Sequence, residues 1–421
     1  MTQVIVMGGG IGGLCLAQGL RRAGVDVTVY ERDRTPTARE QGYRIHINPA
    51  GSRALRACLP GPLWEAFVAT AGDPGRGFGF FDERLRTLVM IEDDIAAQRE
   101  EHAVSRLTLR QILLAGLGDA VVFGKEFVRY TPGDRVTAHF ADGSTAAGDL
   151  LVGADGAGSR VRAQFMPGNE RVATGAVGIG GKLELTDASR AWLPDRLTQG
   201  MNVIMGPRHF LFTAIFNRRR KPGEARELLG DDLRAAGLDP EPLFAGMEDR
   251  DYILWAFVTR ENGRFEQESG ARLQALVADA IRGWHPDLRR LVSGTAAETV
   301  MAFTLRTSVP VPAWPSGNVT LLGDAIHSMP PTGGIGGNTA LRDAALLSGL
   351  LAERPAGEAV AAYESQMRAY GFAAVKEANA NCEQAVAGRL GRIRDRAFLR
   401  ACGAIPSLRR AVFGNRRDEP A

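Results

Sequence analysis

This chain of 421 residues has few cysteines, few histidines and a small net charge. The six histidines lack ligand spacing, so no metal site is predicted. A net charge of +3 is too small to indicate a polyanionic partner such as a nucleic acid. The four cysteines share no metal or redox spacing, which predicts buried thiols in a reducing compartment. They are Cys15, Cys58, Cys382 and Cys402.

Long apolar runs are missing as well. No window of about 18 uninterrupted apolar residues exists, so no membrane-spanning helix is predicted. A strand pattern begins almost at once, at Val4–Met7, which leaves no place for a signal peptide. We therefore expect a cytoplasmic protein. The length predicts two or three domains, and 51 glycines are more than average usage would give.

Part of this glycine excess lies in a loop near the amino terminus. Gly8, Gly10 and Gly13 form a G-x-G-x-x-G pattern between a predicted strand and a predicted helix. Glu31 ends the next strand, 18 residues after Gly13. Such glycines let the backbone approach a pyrophosphate at the helix amino terminus, and the acidic residue is placed for a ribose 2′-hydroxyl. This first loop predicts a binding site for NAD or FAD and does not distinguish the two cofactors.

Two further glycine loops follow strand patterns. The second, VGADGAGSRVR at 152–162, offers the Asp155 carboxylate beside a flexible turn. The third, GDAIHSMPPTGGIGGN at 323–338, precedes a helical pattern over 338–352. FAD is long enough to need a second anchor far from its adenine end. Asp324 can bind ribitol hydroxyls, and the backbone amides of Gly336, Gly337 and Asn338 can face the flavin, where a helix amino terminus stabilises negative charge.

Together these motifs resemble those of the single-component FAD-dependent aromatic hydroxylases, the group A flavoprotein monooxygenases of the p-hydroxybenzoate hydroxylase type. The shared features are the first loop with Glu31, the arginine Arg106 at the head of a helix, the Asp155–Gly156 pair, and the third loop. Ile326 stands where that family most often has alanine. The motifs span residues 5–345, whereas 173–294 carry none that match.

The resemblance implies roles for individual residues. Glu31 and Arg32 would hold the adenosine ribose, Arg106 the pyrophosphate or ribitol region, and Asp324 the ribitol. Asp155 would support the FAD. His327 would orient the third loop by hydrogen bonds rather than act in acid–base chemistry, although histidine can serve either role at neutral pH.

Three side chains are candidates for positions near the substrate. The alternating segment YRIHIN places Arg44 and His46 on one strand face. The resemblance puts Arg44 close to the flavin, while a solvated strand face is the alternative. Phe212 lies in RHFLFTAIF, whose alternate apolar residues share one face. That face would either cover a cavity above the flavin or form an ordinary core.

These patterns predict an α/β protein: a Rossmann-like FAD-binding domain with an inserted mixed-sheet substrate domain and a C-terminal helical segment. The predicted FAD-binding domain is discontinuous, comprising 1–73, 101–172 and 295–375. The substrate domain comprises 74–100 and 173–294, and the helical segment is 376–421.

The resemblance implies an NAD(P)H-dependent monooxygenase with non-covalent FAD, which inserts one oxygen atom of O2 into an aromatic or polycyclic substrate through a C4a-hydroperoxyflavin. We expect a monomer or a homodimer. Epoxidation, Baeyer–Villiger insertion and antibiotic inactivation are alternatives on the same fold, as is a flavin- or ligand-binding protein without turnover. The choice between NADPH and NADH and the identity of the substrate stay open.

Overall fold

The computed structural model describes residues 2–36, 43–73, 75, 77–92, 100–247, 249–260 and 265–413. Its strands are β1 (Gln3–Met7), β2 (Asp26–Glu31), β3 (Arg44–Ile47), β4 (Gly72–Asp73), β5 (Gly77–Asp82), β6 (Thr87–Glu92), β7 (His102–Ser105), β8 (Val121–Phe123), β9 (Phe127–Thr131), β10 (Val136–Phe140), β11 (Thr145–Gly148), β12 (Leu150–Gly153), β13 (Val172–Glu184), β14 (Met201–Met205), β15 (Phe210–Arg218), β16 (Tyr252–Arg260), β17 (Met301–Thr307) and β18 (Val319–Leu321).

The α-helices in the same residues are α1 (Ile11–Arg22), α2 (Pro49–Cys58), α3 (Gly61–Thr70), α4 (Arg106–Leu114), α5 (Arg160–Phe165), α6 (Asp187–Arg190), α7 (Asp195–Thr198), α8 (Pro222–Ala235), α9 (Pro240–Phe244), α10 (Gly270–Ala280), α11 (Pro286–Ser293), α12 (Asp324–His327), α13 (Gly336–Glu353), α14 (Ala356–Ala385), α15 (Arg389–Ala404) and α16 (Pro406–Phe413).

A parallel sheet carries the three glycine loops. Its strand order is β18-β12-β1-β2-β8, and every neighbouring pair is parallel. The strands are apolar because helices cover both faces of such a sheet. β1, β12 and β18 are adjacent in the sheet, and the three loops follow them. The loops therefore meet at the carboxyl edge of the sheet, where ligands bind in open α/β folds. The predicted α/β fold class is confirmed.

A second, larger sheet is almost entirely antiparallel. Its main path runs β17-β13-β16-β15-β14-β5-β6, and only β14 and β5 pair in parallel along it. One face packs on α10 and α11 through fully buried residues, among them Leu211, Ile215, Ile253, Trp255 and Phe257. β9, β10 and β11 form a small antiparallel meander with a turn at Asp142–Gly143. Val136, Ala138 and Phe140 of this meander belong to the hydrophobic core of the parallel-sheet layer.

The predicted domain boundaries can be compared with the hydrophobic clusters. Helices α8 and α9, which the sequence places in the substrate domain, contribute Leu233 and Phe244 to the core of the parallel-sheet layer, beside Phe67 of α3. The C-terminal helix α15 packs Leu399 and Cys402 against Leu88 and Val89 of β6 and against β14. The domain boundaries stay a prediction.

The structure bears on the predictions about cysteine burial and about membrane-spanning helices. All four cysteines are buried, as predicted. Among the described residues, no helix has both the length and the apolar composition needed to cross a membrane.

Close packing of α1 against α13 fixes the first and third glycine loops relative to each other, because each helix begins at one of these loops. A β-carbon added at Gly19 of α1 would lie 2.5 Å from the Ser348 hydroxyl of α13 and 3.1 Å from the Cys58 sulfur of α2. Gly349 is the neighbour of Ser348, but a β-carbon there would meet nothing within 4 Å, and the residue is exposed.

We therefore predict opposite effects for two alanine substitutions. Gly19→Ala should lower the free energy of unfolding by about 1–3 kcal/mol, because it overpacks the helix interface. Gly349→Ala should raise it by up to about 1 kcal/mol, because alanine favours an exposed helix. Urea unfolding at fixed FAD concentration measures both changes. Equal effects of the two substitutions would contradict the close approach of the helices.

Candidate active site

The first glycine loop turns tightly and leaves one open position. Gly8 has φ +111°, and a β-carbon there would lie against the backbone of Ala154. A β-carbon on Gly13 would lie against the carbonyl oxygen of Gly8. Gly10, in contrast, would place a β-carbon in open space, with nothing within 4 Å. The loop thus has a packed side and an empty side, and the empty side is a cradle that a pyrophosphate fits.

Glu31 is buried and bound to the backbone beside this loop. Its Oε2 accepts a hydrogen bond from the Gly9 amide at 2.6 Å, and its Oε1 accepts one from the Asp33 amide at 2.9 Å. The carboxylate therefore fixes the loop conformation. Since a carboxylate offers about four acceptor positions, a ribose hydroxyl can still bind to it. Arg32 is exposed next to it.

A buried arginine that the sequence analysis missed also holds the first loop. Arg110 of α4 is 8% exposed; its Nε donates to the Gly9 carbonyl oxygen at 3.1 Å, and its Nη1 donates to that of Pro36. The predicted residue, Arg106, lies one helical turn earlier and is exposed. The four-residue spacing of the two arginines puts them on one helix face, a signal that could have drawn attention to Arg110.

The second loop offers an oxygen without a protein partner. Asp155 Oδ2 accepts hydrogen bonds from the amides of Arg160 at 2.8 Å and Val161 at 3.2 Å, at the start of α5. Asp155 Oδ1 is buried and has no hydrogen-bond partner in the described part of the chain. Burial raises the pKa of this carboxyl. Arg162 ties this loop to the third one, because its Nη1 donates to the Ala325 carbonyl oxygen at 2.9 Å.

Asp324 lies at the start of α12, directly after the parallel sheet. Its side chain is accessible to solvent, yet burial is the main cause that raises its pKa. The positive charges of His327, Arg106 and Arg171 lower this pKa. Arg106 and Asp324 therefore lie near enough for their charges to interact, and their roles in binding FAD stay predictions.

A fully buried carboxylate, Asp343 of α13, fixes the third loop. It accepts hydrogen bonds from the Gly323 amide at 2.8 Å, from His327 Nε2 at 2.7 Å and from the Tyr370 hydroxyl at 2.6 Å. His327 thus makes the orienting contact that the resemblance implies. The sequence analysis missed Asp343, whose spacing of 16 residues from His327 follows no short-range rule.

Asn338 fastens the third loop to strand β3. Its amide nitrogen donates to the carbonyl oxygens of His46 at 2.9 Å and Gly334 at 3.0 Å, and its Oδ1 accepts from the Asn48 amide at 3.0 Å. Helix α13 begins at Gly336, and the backbone amide of Thr339 donates to the Ile335 carbonyl oxygen at 2.9 Å. The backbone amides of residues 336–338 precede that bond, so they are the unpaired donors of a helix start.

The three loops form one cradle that fits a dinucleotide with a flavin end. The open side of Gly10, the unpaired Asp155 Oδ1, the accessible Asp324 and the helix start at Gly336 all lie along the same sheet edge. A β-carbon on Gly337 would lie 3.5 Å from both Ile11 and Ile45, so the third loop directly contacts the first helix and strand β3. No group of three metal-ligating side chains occurs in the described ranges.

Arg44 and His46 project from β3 toward the antiparallel sheet. Arg44 is 9% exposed, and its Nη1 lies 3.6 Å from the Met201 sulfur of β14. Burial lowers the pKa of Arg44 to about 10, so the side chain stays charged at neutral pH. Burial, with the nearby charges of Arg44 and His102, lowers the pKa of His46 to about 3. His46 is therefore neutral, with its Nε2 at 3.8 Å from Glu101.

The open face of the antiparallel sheet lies beyond Arg44. Cross-strand pairing places Phe212 on this face, opposite Val203 and Ala256. Although β15 is central in the sheet, Phe212 is only half-buried, so solvent reaches it from above the face. Other half-buried side chains on the face are Met201, Leu254, Ala256, Phe303 and Lys182. The face toward α10 and α11 is the sheet's core. On the other face, Phe212 packs at the edge of the cluster that includes Leu399 and Cys402 of α15, so helices cover only part of this face.

The pair of His327 and Asp343 predicts a pH dependence of stability. Burial acts to lower the pKa of His327, but Asp343 outweighs it, and the pKa is raised overall. In the unfolded chain this pKa is about 6.5. The stabilisation is therefore complete below pH 6.5 and is lost as the pH rises through the higher pKa of the folded protein.

We expect the free energy of unfolding of the parent protein to fall as the pH rises above 6.5, until the His327 imidazolium has lost its proton in the folded protein. Asp343→Asn should lower stability by about 3–5 kcal/mol, because it breaks a buried pair, and should flatten this slope. Urea unfolding at several pH values measures both effects, and Tyr370→Phe, which removes one hydrogen bond, should keep the slope. An unchanged slope in Asp343→Asn would contradict this account.

Comparison with known proteins agrees with the cradle. A family model described as FAD binding domain matches residues 1–227 and 246–378. The dual O-methyltransferase/FAD-dependent monooxygenase elcB of Phaeosphaeria nodorum is 33% identical over 457 residues, which cover 99% of this chain and 46% of that protein. The chain spans about half the length of the curated relatives that it matches.

Solved structures show the same fold. A protein of Photorhabdus luminescens described as a FAD-containing monooxygenase is 34% identical with a TM-score of 0.79, over 92% of this chain and 99% of that one. HpxO of Klebsiella pneumoniae, solved with FAD and uric acid, is 25% identical with a TM-score of 0.76, over 95% and 93% of the two chains. The chain therefore belongs to the FAD-binding family that its glycine loops resemble, the family of the single-component FAD-dependent hydroxylases.

Proposed function

We propose that this chain is an NAD(P)H-dependent flavoprotein monooxygenase that hydroxylates an aromatic or polycyclic substrate with O2. The observation that carries the proposal is the half-open apolar face around Phe212, which lies next to a cradle for FAD. Strand β3 connects the two: its backbone binds Asn338 of the third loop, and its Arg44 contacts Met201 on the sheet face. An aromatic ring fits such a face, since stacking on phenylalanine adds to area burial.

In this proposal the FAD-binding residues are those of the three loops. The first loop and Glu31 hold the adenosine diphosphate half, Arg110 stabilises that loop, and Asp324 binds the ribitol. The amides at 336–338 face the flavin end. Bound FAD supplies the redox chemistry, taking up hydride from NAD(P)H and activating O2, while the protein binds, orients and excludes water.

No protein side chain is assigned to obligatory acid–base chemistry. His46 is the titratable group beside the cleft on β3, and its pKa of about 3 leaves it without a proton to donate at neutral pH. His327 is fully buried under the third loop and is bound to Asp343. The roles of Arg44, His46 and Phe212 are therefore binding and positioning. We further propose that the protein works in the cytoplasm as a monomer or homodimer.

NAD(P)H is proposed to bind transiently at the junction of the two sheets. The sequence holds one dinucleotide pattern that follows a strand and opens a helix, and FAD occupies it in this proposal. The other candidate stretch, GIGGKL at 178–183, lies inside strand β13 and opens no helix. The related elcB, the Photorhabdus protein and HpxO support the reaction class by similarity.

Removal of the Asp324 carboxylate tests the FAD assignment. Asp324→Ala should weaken FAD binding roughly ten- to hundredfold, since each hydrogen bond to a charged group contributes about 1.5–3 kcal/mol. Flavin fluorescence during equilibrium dialysis gives the affinity. Asp231→Ala, at a fully exposed position in α8, is the control and should bind FAD normally. An Asp324→Ala protein with parental affinity would remove this residue from the FAD site.

The reaction itself is tested with the purified, FAD-loaded protein. NADPH and NADH oxidation should accelerate when a panel of phenols and polycyclic aromatics includes a substrate, and the product should gain one oxygen atom by mass spectrometry. A product with an epoxide or an inserted ester oxygen would assign one of the alternative reactions. Failure of both NADPH and NADH to reduce the bound flavin, with and without the panel compounds, would contradict a monooxygenase.

A further inference from the structure

The C-terminal helix α15 carries exposed apolar side chains on its outer face. Nine large apolar side chains are exposed in the described part of the chain, and five of them belong to α15, α16 or the residue between these helices. Leu390, Ile393 and Ile405 are 83%, 57% and 48% exposed. With Ala397 and Ala401 they repeat at intervals of three and four residues, so they share one side of the helix. We call this side the outer face of α15.

The inner face of α15 already fixes the helix to the protein. Leu399 and Cys402 are buried against β6 and β14. Arg396 lies 2.9 Å from the Glu83 carboxylate and 3.5 Å from that of Asp82, which is fully buried. The helix therefore does not need its outer face for packing within the chain. Contiguous exposed apolar side chains of this kind mark an interaction surface.

Positive charge surrounds the outer face. Residues 389–413 contain seven arginines and one acidic residue, Asp395. The Asp395 side chain is only 9% exposed and pairs with Arg394, which is 81% exposed, at 3.2 Å. Arg389 and Arg410 are exposed as well. The surface formed by α15 and α16 thus combines apolar side chains with a large excess of positive charge.

A groove at the border of this surface is lined by two further arginines. It runs between β6, the last strand in the path of the large sheet, and the helices α15 and α16. Its volume is about 410 Å³, and Arg400 and Arg409 line its helix side. Arg400 also lies 3.8 Å from the Asp82 carboxylate, which orients it. Guanidinium groups in such a groove are suited to the oxygens of a phosphate group.

The combination of apolar residues and arginines decides between possible partners. Two copies of this chain in a two-fold dimer would place the same surface on both sides of the interface. Arginines would then face arginines, and such like-charge contacts are costly. A membrane with anionic lipids instead offers an apolar interior and negatively charged phosphates to one surface.

We propose that α15 and α16 bind the protein to the surface of an anionic membrane. Leu390, Ile393 and Ile405 insert at the boundary between headgroups and acyl chains, and the arginines contact the lipid phosphates. The inference goes beyond the proposed function and does not depend on it. Leu399, on the inner face of α15, belongs to the cluster that Phe212 packs against. The membrane would therefore lie one helix away from the proposed substrate face.

Vesicle binding by the FAD-loaded protein tests the proposal, with co-sedimentation as the measurement. Vesicles of phosphatidylcholine with about 30% phosphatidylglycerol should bind at least about tenfold more tightly than pure phosphatidylcholine vesicles, since each arginine near an anionic surface adds about fivefold. Binding to the anionic vesicles should weaken as the salt concentration rises from about 0.05 to 0.5 M, because salt screens the surface charge.

A double substitution tests the apolar contribution. Leu390→Ser combined with Ile393→Ser should weaken binding to the anionic vesicles at least about tenfold, because two side chains no longer enter the bilayer. Both residues are exposed, so the variant should retain its FAD and its fold. Leu228→Ser is the matched control, since Leu228 is 56% exposed on α8, and it should bind like the parent protein.

A second pair of substitutions tests the charge. Arg389→Gln combined with Arg410→Gln should weaken binding to the anionic vesicles at least about tenfold and leave binding to pure phosphatidylcholine unchanged. Arg282→Gln, at a position that is 82% exposed outside α15 and α16, is the control and should keep the parental affinity.

Several results would overturn the inference: binding to neither kind of vesicle, equal binding to both, or anionic-vesicle binding that survives either double substitution. A dimer in sedimentation velocity that dissociates in the double serine variant, without vesicle binding by the parent protein, would assign the outer face to a second copy of the chain. No turnover is needed. Vesicle binding without NAD(P)H oxidation would therefore refute the proposed function alone, and the reverse result would refute this inference alone.

Discussion

The buried carboxylate of Asp343 is the contact on which the site geometry depends. It binds the backbone at Gly323, the imidazole of His327 and the hydroxyl of Tyr370, so it joins the third loop to helix α14. Gly323 immediately precedes Asp324, so this one carboxylate sets where the proposed ribitol ligand stands. Since a buried charge is tolerated only when its hydrogen bonds are satisfied, the third loop has little freedom to move without unfolding locally.

The two large sheets differ in how much of each face is buried. The parallel sheet is covered on both sides and presents only its carboxyl edge, where glycine loops leave backbone donors unpaired. The antiparallel sheet buries one face under α10 and α11, whereas α15 covers only part of the other face and Phe212 stays half-buried there. A cofactor cradle thus adjoins an apolar surface, and strand β3 bridges them through Asn338 on one side and Arg44 on the other. In the proposed reaction, hydride, O2 and an aromatic ring would meet there.

Local patterns in the sequence predicted the elements that local chemistry determines. The first loop, the strand before it and the helix after it follow from glycine spacing and apolar periodicity, and the phenylalanine face follows from alternation in β15. Glycine spacing and apolar periodicity do not identify Arg110 or Asp343, because their roles depend on contacts with Gly9, 101 residues away, and with Gly323, 20 residues away. The helices at 222–244 lie within the predicted substrate domain by sequence and share a hydrophobic core with Phe67, and the domain boundary there stays a prediction.

A crystal structure of the FAD complex tests the central claim most directly, namely that one FAD bridges the first and third glycine loops beneath the open sheet face. The account predicts adenine and ribose density beside Gly10 and Glu31, ribitol beside Asp324, and the flavin ring at the start of α13 on the side of Phe212. An FAD held by the first loop alone, or a flavin ring on the side of the sheet away from Phe212, would contradict it.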